Sequence, residues 1–343
     1  MLSRLQIRRF KSLVDEDLRI APLTIFTGTN SSGKSSALQA ILITQTGIQS
    51  SEEFTRYIDS KLVNSLNFDE RASAMVEIMT TYSDGRKATV GISNSRQENF
   101  GSKFSFKGGT YFTKTLFISA DRVGPSDFYP VSYSDDLGIR GQYSWQYFEK
   151  NKNRPLHAPL LHPEAASETL AGQVNFWMNH IVETTVTTEG TDNQVRVAYN
   201  YLDRGLTAPS QTGFGTSTLF PIVLACLVAT PADLVVLENP EIHLHPKAQA
   251  RLADLFAFTG NAGIQLIIET HCEHLIYKLC YNVHKGILKT GDVVFHYREE
   301  NFEQFEEIVV DDSGRFLSRT TGEFGFPRGF FDATLEEYIS IYG

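Results

Sequence analysis

The run Gly28-Thr29-Asn30-Ser31-Ser32-Gly33-Lys34-Ser35 satisfies the pattern GxxxxGK[ST] in full. Glycines let the backbone curl so that successive N–H groups point at phosphate oxygens. A helix starting near Lys34 adds the positive end of its dipole. In such a loop the lysine reaches the β- and γ-phosphates of a nucleotide, and the Ser35 hydroxyl is a ligand for Mg²⁺. An accidental Gly/Ser loop would lack the flanking elements. Here Leu23–Thr27 reads as a buried strand, and SSALQAILITQT after the loop has helical spacing.

The C-terminal half carries a second set of candidates. Leu234-Val235-Val236-Leu237-Glu238 is an apolar strand ending in a carboxylate, suited to the Mg²⁺ shell opposite a phosphate loop. Before it stands Thr212-Gly213-Phe214-Gly215-Thr216-Ser217, a small-residue turn opening an apolar helix. After the next strand comes Glu269-Thr270-His271.

Phosphate loop, glycine turn, acidic strand and histidine at a strand end follow one another as in ABC ATPases. GTNSSGKSS, TGFGTSTLFPIV, LVVLENPEIHLHPKAQ and IIETHCEHL resemble the four motifs of the OLD/RecF-like subgroup. ENPEIHLHP and the closing GEFGFPRGFFD resemble stand-alone ATPase heads of that subgroup, without a TOPRIM domain. The resemblance implies an α/β fold: an ABC-type P-loop ATPase head with an inserted antiparallel β lobe. It implies ATP and Mg²⁺ as cofactors, with Gly28 through Ser36 as the nucleotide loop, so that Asn30, Ser31, Ser32, Gly33, Lys34, Ser35 and Ser36 bind nucleotide. Gly213, Gly215 and Ser217 become the signature offered to the γ-phosphate held by a second copy. Ser35, Gln45 and Glu238 fall to the metal, His245 to the segment that crosses the dimer, and His271 to the phosphate-sensing switch. Arg122, in Ala-Asp-Arg-Val-Gly-Pro, matches a family-like motif without a role attached.

Two departures shape the expected chemistry. Glu238 stands where many relatives have Asp. Asn239 occupies the usual place of the general-base glutamate, and an amide accepts no proton at neutral pH. Glu241 is the alternative group to polarise water. The expectation is therefore slow hydrolysis catalysed through Glu238, Asn239, Glu241 and His271, in a head that dimerises on ATP, or assembles further, and gates a separate effector chain, as in bacterial antiphage defence. The alternatives are a RecF-like DNA-repair ATPase, for which DNA is the partner, and a non-hydrolysing ATP-dependent scaffold.

The elements that must position these residues read as two α/β stretches around antiparallel material. Residues 1–50 and 205–343 are expected to form the nucleotide-binding core of a single 1–343 domain, and residues 51–204 the antiparallel lobe plus a loop and helical insertion. Strands are expected near Leu5–Arg8 and Asp17–Ile20. Ala74, Val76 and Ile78 alternate with polar residues, Asp84-Gly85 supplies a hairpin turn, and Lys107-Gly108-Gly109 between Phe104, Phe106, Tyr111 and Phe112 supplies another. Pro246 opens a helix with Leu252, Leu255 and Phe256 on one face. Strands are expected at Ile264–Ile268 and Asp292–Arg298. Residues 129–163 read as an extended loop or small lobe, with Tyr143, Trp145, Tyr147 and Phe148 forming either a local core or a partner patch.

Composition excludes several classes. With 343 residues the chain can bury a large core, and a net charge of -9 argues against a uniformly basic nucleic-acid-coating surface. Arg4, Arg8, Arg9 and Lys11 read as the exposed face of an edge strand, or as a contact to nucleotide or nucleic acid. The three cysteines form no CxxC pair, so no disulfide framework or thiolate zinc site is indicated. His243, His245, His271 and His274 lie near acidic residues, but the ABC frame already uses His245 and His271, leaving His274 to a helix surface or cap. Glu299, Glu300, Glu303, Glu306 and Glu307 read as a solvated hairpin. No apolar run of about 18 residues is present and no signal-peptide core precedes the first strand, so the expected compartment is the cytoplasm, with no membrane partner.

Overall fold

The computed structural model describes residues 1–46, 76–94, 102–109, 112, 114–131, 135–201, 205–299, 304–319 and 321–325. Ala74, Tyr111, Glu300, Glu303 and the Phe326–Asp332 part of the closing motif lie outside the described residues, as does the Phe104 side chain. The chain divides into two compact units: residues 1–115 with 289–343, and residues 116–288.

The first unit holds two sheet systems. β1 (Leu2–Phe10), β2 (Leu13–Arg19), β4 (Val76–Tyr82), β5 (Lys87–Asn94) and β6 (Ser102–Lys107) form an antiparallel sheet in the order β2-β1-β4-β5-β6. Alternation explains it: Leu5, Ile7 and Ile78 are buried while their neighbours are more exposed. The other system runs β16 (Phe316–Ser318), β15 (Glu306–Val310), β14 (Val293–Arg298), β3 (Leu23–Gly28). β3 and β14 are parallel, and every residue of both is buried, as an apolar run buried on two faces requires. α1 (Lys34–Thr46) follows β3 directly.

β1 is an interior strand, not an edge, because β2 and β4 pair with its two sides. Its basic face is neutralised by neighbours: Arg4 is bound to Asp17, and Arg8 lies 3.3 Å from Glu77. Of the acidic stretch, Glu307 is only half-exposed and meets Arg19 at 3.5 Å.

The second unit pairs β12 (Leu234–Glu238) with β13 (Gln265–Glu269) in parallel, and β7 (Thr115–Ile118) lies beside β12. A smaller antiparallel sheet collects β8 (Phe128–Pro130), β9 (Thr184–Gly190), β10 (Gln194–Tyr201) and β11 (Gly205–Thr207) around β10. Antiparallel strands therefore occur in both units. The stretch 129–163 is not an extended loop: Ser144–Asn151 is a helix, α2, with Trp145 and Phe148 buried. Trp145 stacks on Phe220 at 3.6 Å between centroids, and Phe148 meets the same ring edge-on. These aromatics form core, not a partner patch.

Among the described residues the unit also holds the α-helices α3 (Leu170–Val182), α4 (Phe214–Val228), α5 (Pro246–Asn261) and α6 (Glu273–His284). α4 is apolar all round and buried from Thr216 to Leu227, as a central helix must be. No helix among the described residues is long and apolar enough to cross a membrane.

Candidate functional site

In the first unit the phosphate loop forms where β3 meets its parallel neighbour. Gly28 stands opposite Arg298 in the ladder, and the Thr29 N–H donates to the Arg298 carbonyl at 3.1 Å. Gly28 has φ +139°, and a Cβ there would lie 2.0 Å from that carbonyl oxygen, so only glycine fits. Ser31 (φ 62°) and Gly33 (φ 95°) also adopt left-handed backbone. Such alternation turns successive N–H groups into a concave anion nest. Asn30, Ser31 and Ser35 are exposed, while Ser32 and Ser36 are buried. Lys34 is buried, and its Nζ donates to the Thr29 carbonyl at 2.5 Å, to the Gly28 carbonyl at 3.3 Å and to Ser32 Oγ at 3.3 Å. A buried ammonium held by the carbonyls of its own loop is suited to exchange them for phosphate oxygens.

Gln45 does not belong with this loop. It lies about 15 Å along the axis of α1 from Ser35. Its carboxamide is buried, taking the Tyr82 hydroxyl at 2.5 Å and donating to Thr44 Oγ1 at 3.0 Å. The assignment of Gln45 to the metal is corrected accordingly.

In the second unit Glu238 ends β12, half-buried, and its Oε2 accepts the Ala120 N–H at 3.2 Å. Asn239 follows at φ 41°, a left-handed conformation that asparagine tolerates better than most residues. Its N–H donates to the Glu269 carbonyl at 2.8 Å. Arg122 holds this turn from behind. Its Nη1 donates to the carbonyls of Ser119 and Glu238, each at 2.9 Å, and its Nη2 to that of Asn239 at 2.7 Å. Burial pushes the Arg122 guanidinium down to about 10, against the opposing charges of Glu241 and Glu238, so it stays charged at neutral pH. The sequence flagged Arg122 without a role; clamping the turn after β12 is that role.

Glu241 is buried, and its Oε1 accepts the His271 N–H at 3.2 Å. Its Oε2 makes no hydrogen bond to the described residues. Burial pushes its carboxyl above the ordinary carboxylate range, against nearby hydrogen bonds and the Arg122 charge. Glu241 thus ties the β12 turn to the residues after β13, where His271 is exposed. His274 is exposed on the first turn of α6. Among the described residues, no three His, Cys, Asp or Glu side chains gather as a metal site.

The glycine turn sits at the start of α4. Gly213 is the N-cap and offers no side-chain cap to the first N–H groups. A Cβ on Gly215 would lie 2.5 Å from the His243 carbonyl oxygen, so the helix start and the loop after β12 touch backbone to backbone. Gly213, Gly215, His243, His245 and Lys247 line a cleft of about 330 Å³. His245 caps α5 there, its Nδ1 accepting the Lys247 N–H at 3.3 Å. Ser217 is not part of this exposed end. It is buried one turn inside α4 and shares a 2.8 Å hydrogen bond with the Tyr199 hydroxyl. Its assignment to a partner's phosphate is corrected: position in the motif put it near the helix start, but helix phase turns it inward.

Residues 23–276 match the family model described as "AAA domain, putative AbiEii toxin, Type IV TA system". The chain belongs to this family. No curated protein matches it. Among solved structures, it is similar to the Smc head domain with an extended coiled coil bound to the C-terminal domain of ScpA, derived from Pyrococcus furiosus. That similarity has a TM-score of 0.55 at 11% identity, covering 100% of this chain and 99% of the other. The SmcHead bound to the C-winged helix domain of ScpA has a TM-score of 0.52 at 14% identity, covering 93% and 98%. At such identities the likeness speaks for the fold, which is that of an ABC-type P-loop ATPase head. AAA-domain proteins of this kind are typically ATPases.

Proposed function

We propose that the protein is an ATP-dependent head that closes head-to-tail with a second copy on ATP, hydrolyses it slowly, and thereby gates a separate effector chain. The observation that carries this reading is the bare N-terminus of α4. Gly213 and Gly215 leave its N–H groups without a side-chain cap on an exposed cleft, as a site for another protomer's phosphate would need. The nucleotide loop keeps the residues expected of it, Gly28 through Ser36. The donor set suits the cofactors: in the first unit a nest of N–H groups with a buried ammonium suits ATP and the Ser35 hydroxyl suits Mg²⁺, while in the second unit the Glu238 carboxylate keeps the part of metal ligand expected of it. Bound there, the ion would offset phosphate charge. His271, exposed after β13, keeps the part of phosphate sensor, and His245 that of a dimer-crossing residue. This reading treats residues 1–343 as one nucleotide-binding head working in the cytoplasm.

Slow turnover follows from the groups near Glu238. Asn239 offers no base, and its backbone is already fixed by Arg122 and Glu269. Glu241 has one oxygen bound to the His271 amide, leaving Oε2 to orient a water. A role in antiphage defence rests on the OLD-like motifs, and the toxin–antitoxin wording of the family description is compatible with an effector partner. A DNA-repair role gains little from β1, where Arg4 and Arg8 are already paired with acids.

Light scattering with Mg-ATP, with ADP and without nucleotide tests the proposal, alongside phosphate release. The expected result is a doubled mass in ATP, lost in Lys34→Ala, with slow phosphate release. An ATP-insensitive mass whose nucleotide sites stay independent of Gly213 and Gly215 contradicts head-to-tail closure.

A further inference from the structure

Beneath the phosphate loop lies a second charged group that no motif contains. Arg298, the last residue of β14, is 1% exposed. Its carbonyl receives the Thr29 N–H, and its Nη1 lies 3.0 Å from where a Gly33 Cβ would sit. Gly28 and Gly33 therefore both owe their identity partly to this one residue. The guanidinium is itself fixed: Nη2 donates to the Ser12 carbonyl at 3.1 Å, and the ring of Phe305 lies 5.4 Å from its centre. Its counter-charge is Glu16 on β2, 3.5 Å away and equally buried.

We infer that Arg298 and Glu16 form a positioning pair under the loop, in which Arg298 shapes the nest and adds positive charge beneath a bound polyphosphate while Glu16 offsets that charge. The inference rests on the loop holding a nucleotide polyphosphate, as proposed above. Ionised Glu16 sets one negative charge beside the guanidinium, and its protonation removes that charge. Burial pushes the Glu16 carboxyl up to about 7, against the Phe305 N–H and the Arg298 charge, with Asp15 adding to the rise. Among the described residues, few groups face Glu16. β14 presents Arg298, the segment before β15 presents the Phe305 amide at 3.1 Å, β1 places apolar Ile7 opposite, and Asp15 lies beside it in β2. Below neutral pH the site thus gains positive charge, and above it loses that charge. A unit charge about 10 Å from a phosphate, at an effective dielectric of about 25–40, changes affinity roughly fourfold to tenfold.

The test is calorimetric titration of ADP and ATP from pH 6 to 8.5 into the full chain and into Glu16→Gln, which keeps the shape and removes the titration. The readout is the ratio of the two affinities, so the nucleotide's own protonation cancels. The ratio should stand near one at pH 6 and rise to roughly fourfold to tenfold in favour of Glu16→Gln at pH 8.5. Arg298→Lys, retaining charge without the fork, should keep a pH-dependent affinity at a lower overall level. A ratio that stays constant across this range overturns the pair's role while leaving nucleotide binding intact. Absence of nucleotide binding in both proteins overturns the nucleotide reading itself, and this inference with it.

Discussion

Replacing Arg122 with Met keeps the length of the side chain and removes all three of its hydrogen bonds. Each runs from a charged donor to a partly buried main-chain carbonyl, of Ser119, Glu238 and Asn239, at 2.7 to 2.9 Å. A hydrogen bond to a charged group contributes about 1.5–3 kcal/mol, and each stranded carbonyl costs about 1–3 kcal/mol. Against this stands the relief of no longer burying a guanidinium, itself several kcal/mol. The net loss should be about 3 kcal/mol, concentrated at the turn after β12, because Asn239 would lose the contact that holds its left-handed backbone. Hydrogen exchange reads this locally. The Asn239 amide, now bonded to the Glu269 carbonyl, should exchange about a hundredfold faster in Arg122→Met, with phosphate release reduced in parallel. Arg122→Lys should recover part of the protection, since an ammonium supplies charge without the planar fork. An Arg122→Met protein with unchanged urea midpoint, exchange at Asn239 and phosphate release would refute the clamp.

Gly215→Ala places a methyl 2.5 Å from the His243 carbonyl oxygen, so ATP-dependent mass doubling should disappear while ADP affinity stays within about twofold. Retained doubling would show that α4 does not meet the partner's nucleotide. Glu241→Gln removes a carboxyl whose folded pKa is raised by burial, so the ionised form disfavours folding once the pH passes the unfolded value. The variant should match the parent near pH 4 in thermal unfolding, exceed it at pH 8, and release phosphate more slowly. An equal melting difference at both pH values would contradict this. His296, buried and stacked on Phe26, is pushed down to about 4 by burial. Its unfolded form takes a proton near pH 6.5, so stability should fall by about 3 kcal/mol between pH 6.5 and 4, a slope that His296→Gln should lack in urea unfolding.

The phosphate loop and the acidic strand were legible because their information is local. A buried apolar strand, a glycine turn and a helix start are fixed by consecutive residues, and both Leu23–Gly28 and Leu234–Glu238 fold as their patterns require. What escaped depends on distance or phase. Arg298 reaches the loop through strand pairing, and nothing in its neighbourhood marks it. Arg122 stood out as a motif, but its work is on the backbone of residues far along the chain. Ser217 and Gln45 failed for a geometric reason: a motif counts residues along the chain, whereas helix rise and rotation decide where a side chain ends up. Trp145 shows the converse, because an aromatic stretch without periodicity reads as a loop until Phe220 supplies the surface it packs on.

The most direct test of the account is an equilibrium titration of Mg-ATP into the full chain and into Lys34→Ala. Lys34 is buried among the carbonyls of Gly28 and Thr29, where phosphate oxygens would replace them. Saturable binding is expected, weakened at least roughly tenfold in the variant, about 1.4 kcal/mol or more. Equal affinity in the two proteins, or no binding in the parent chain, would contradict it.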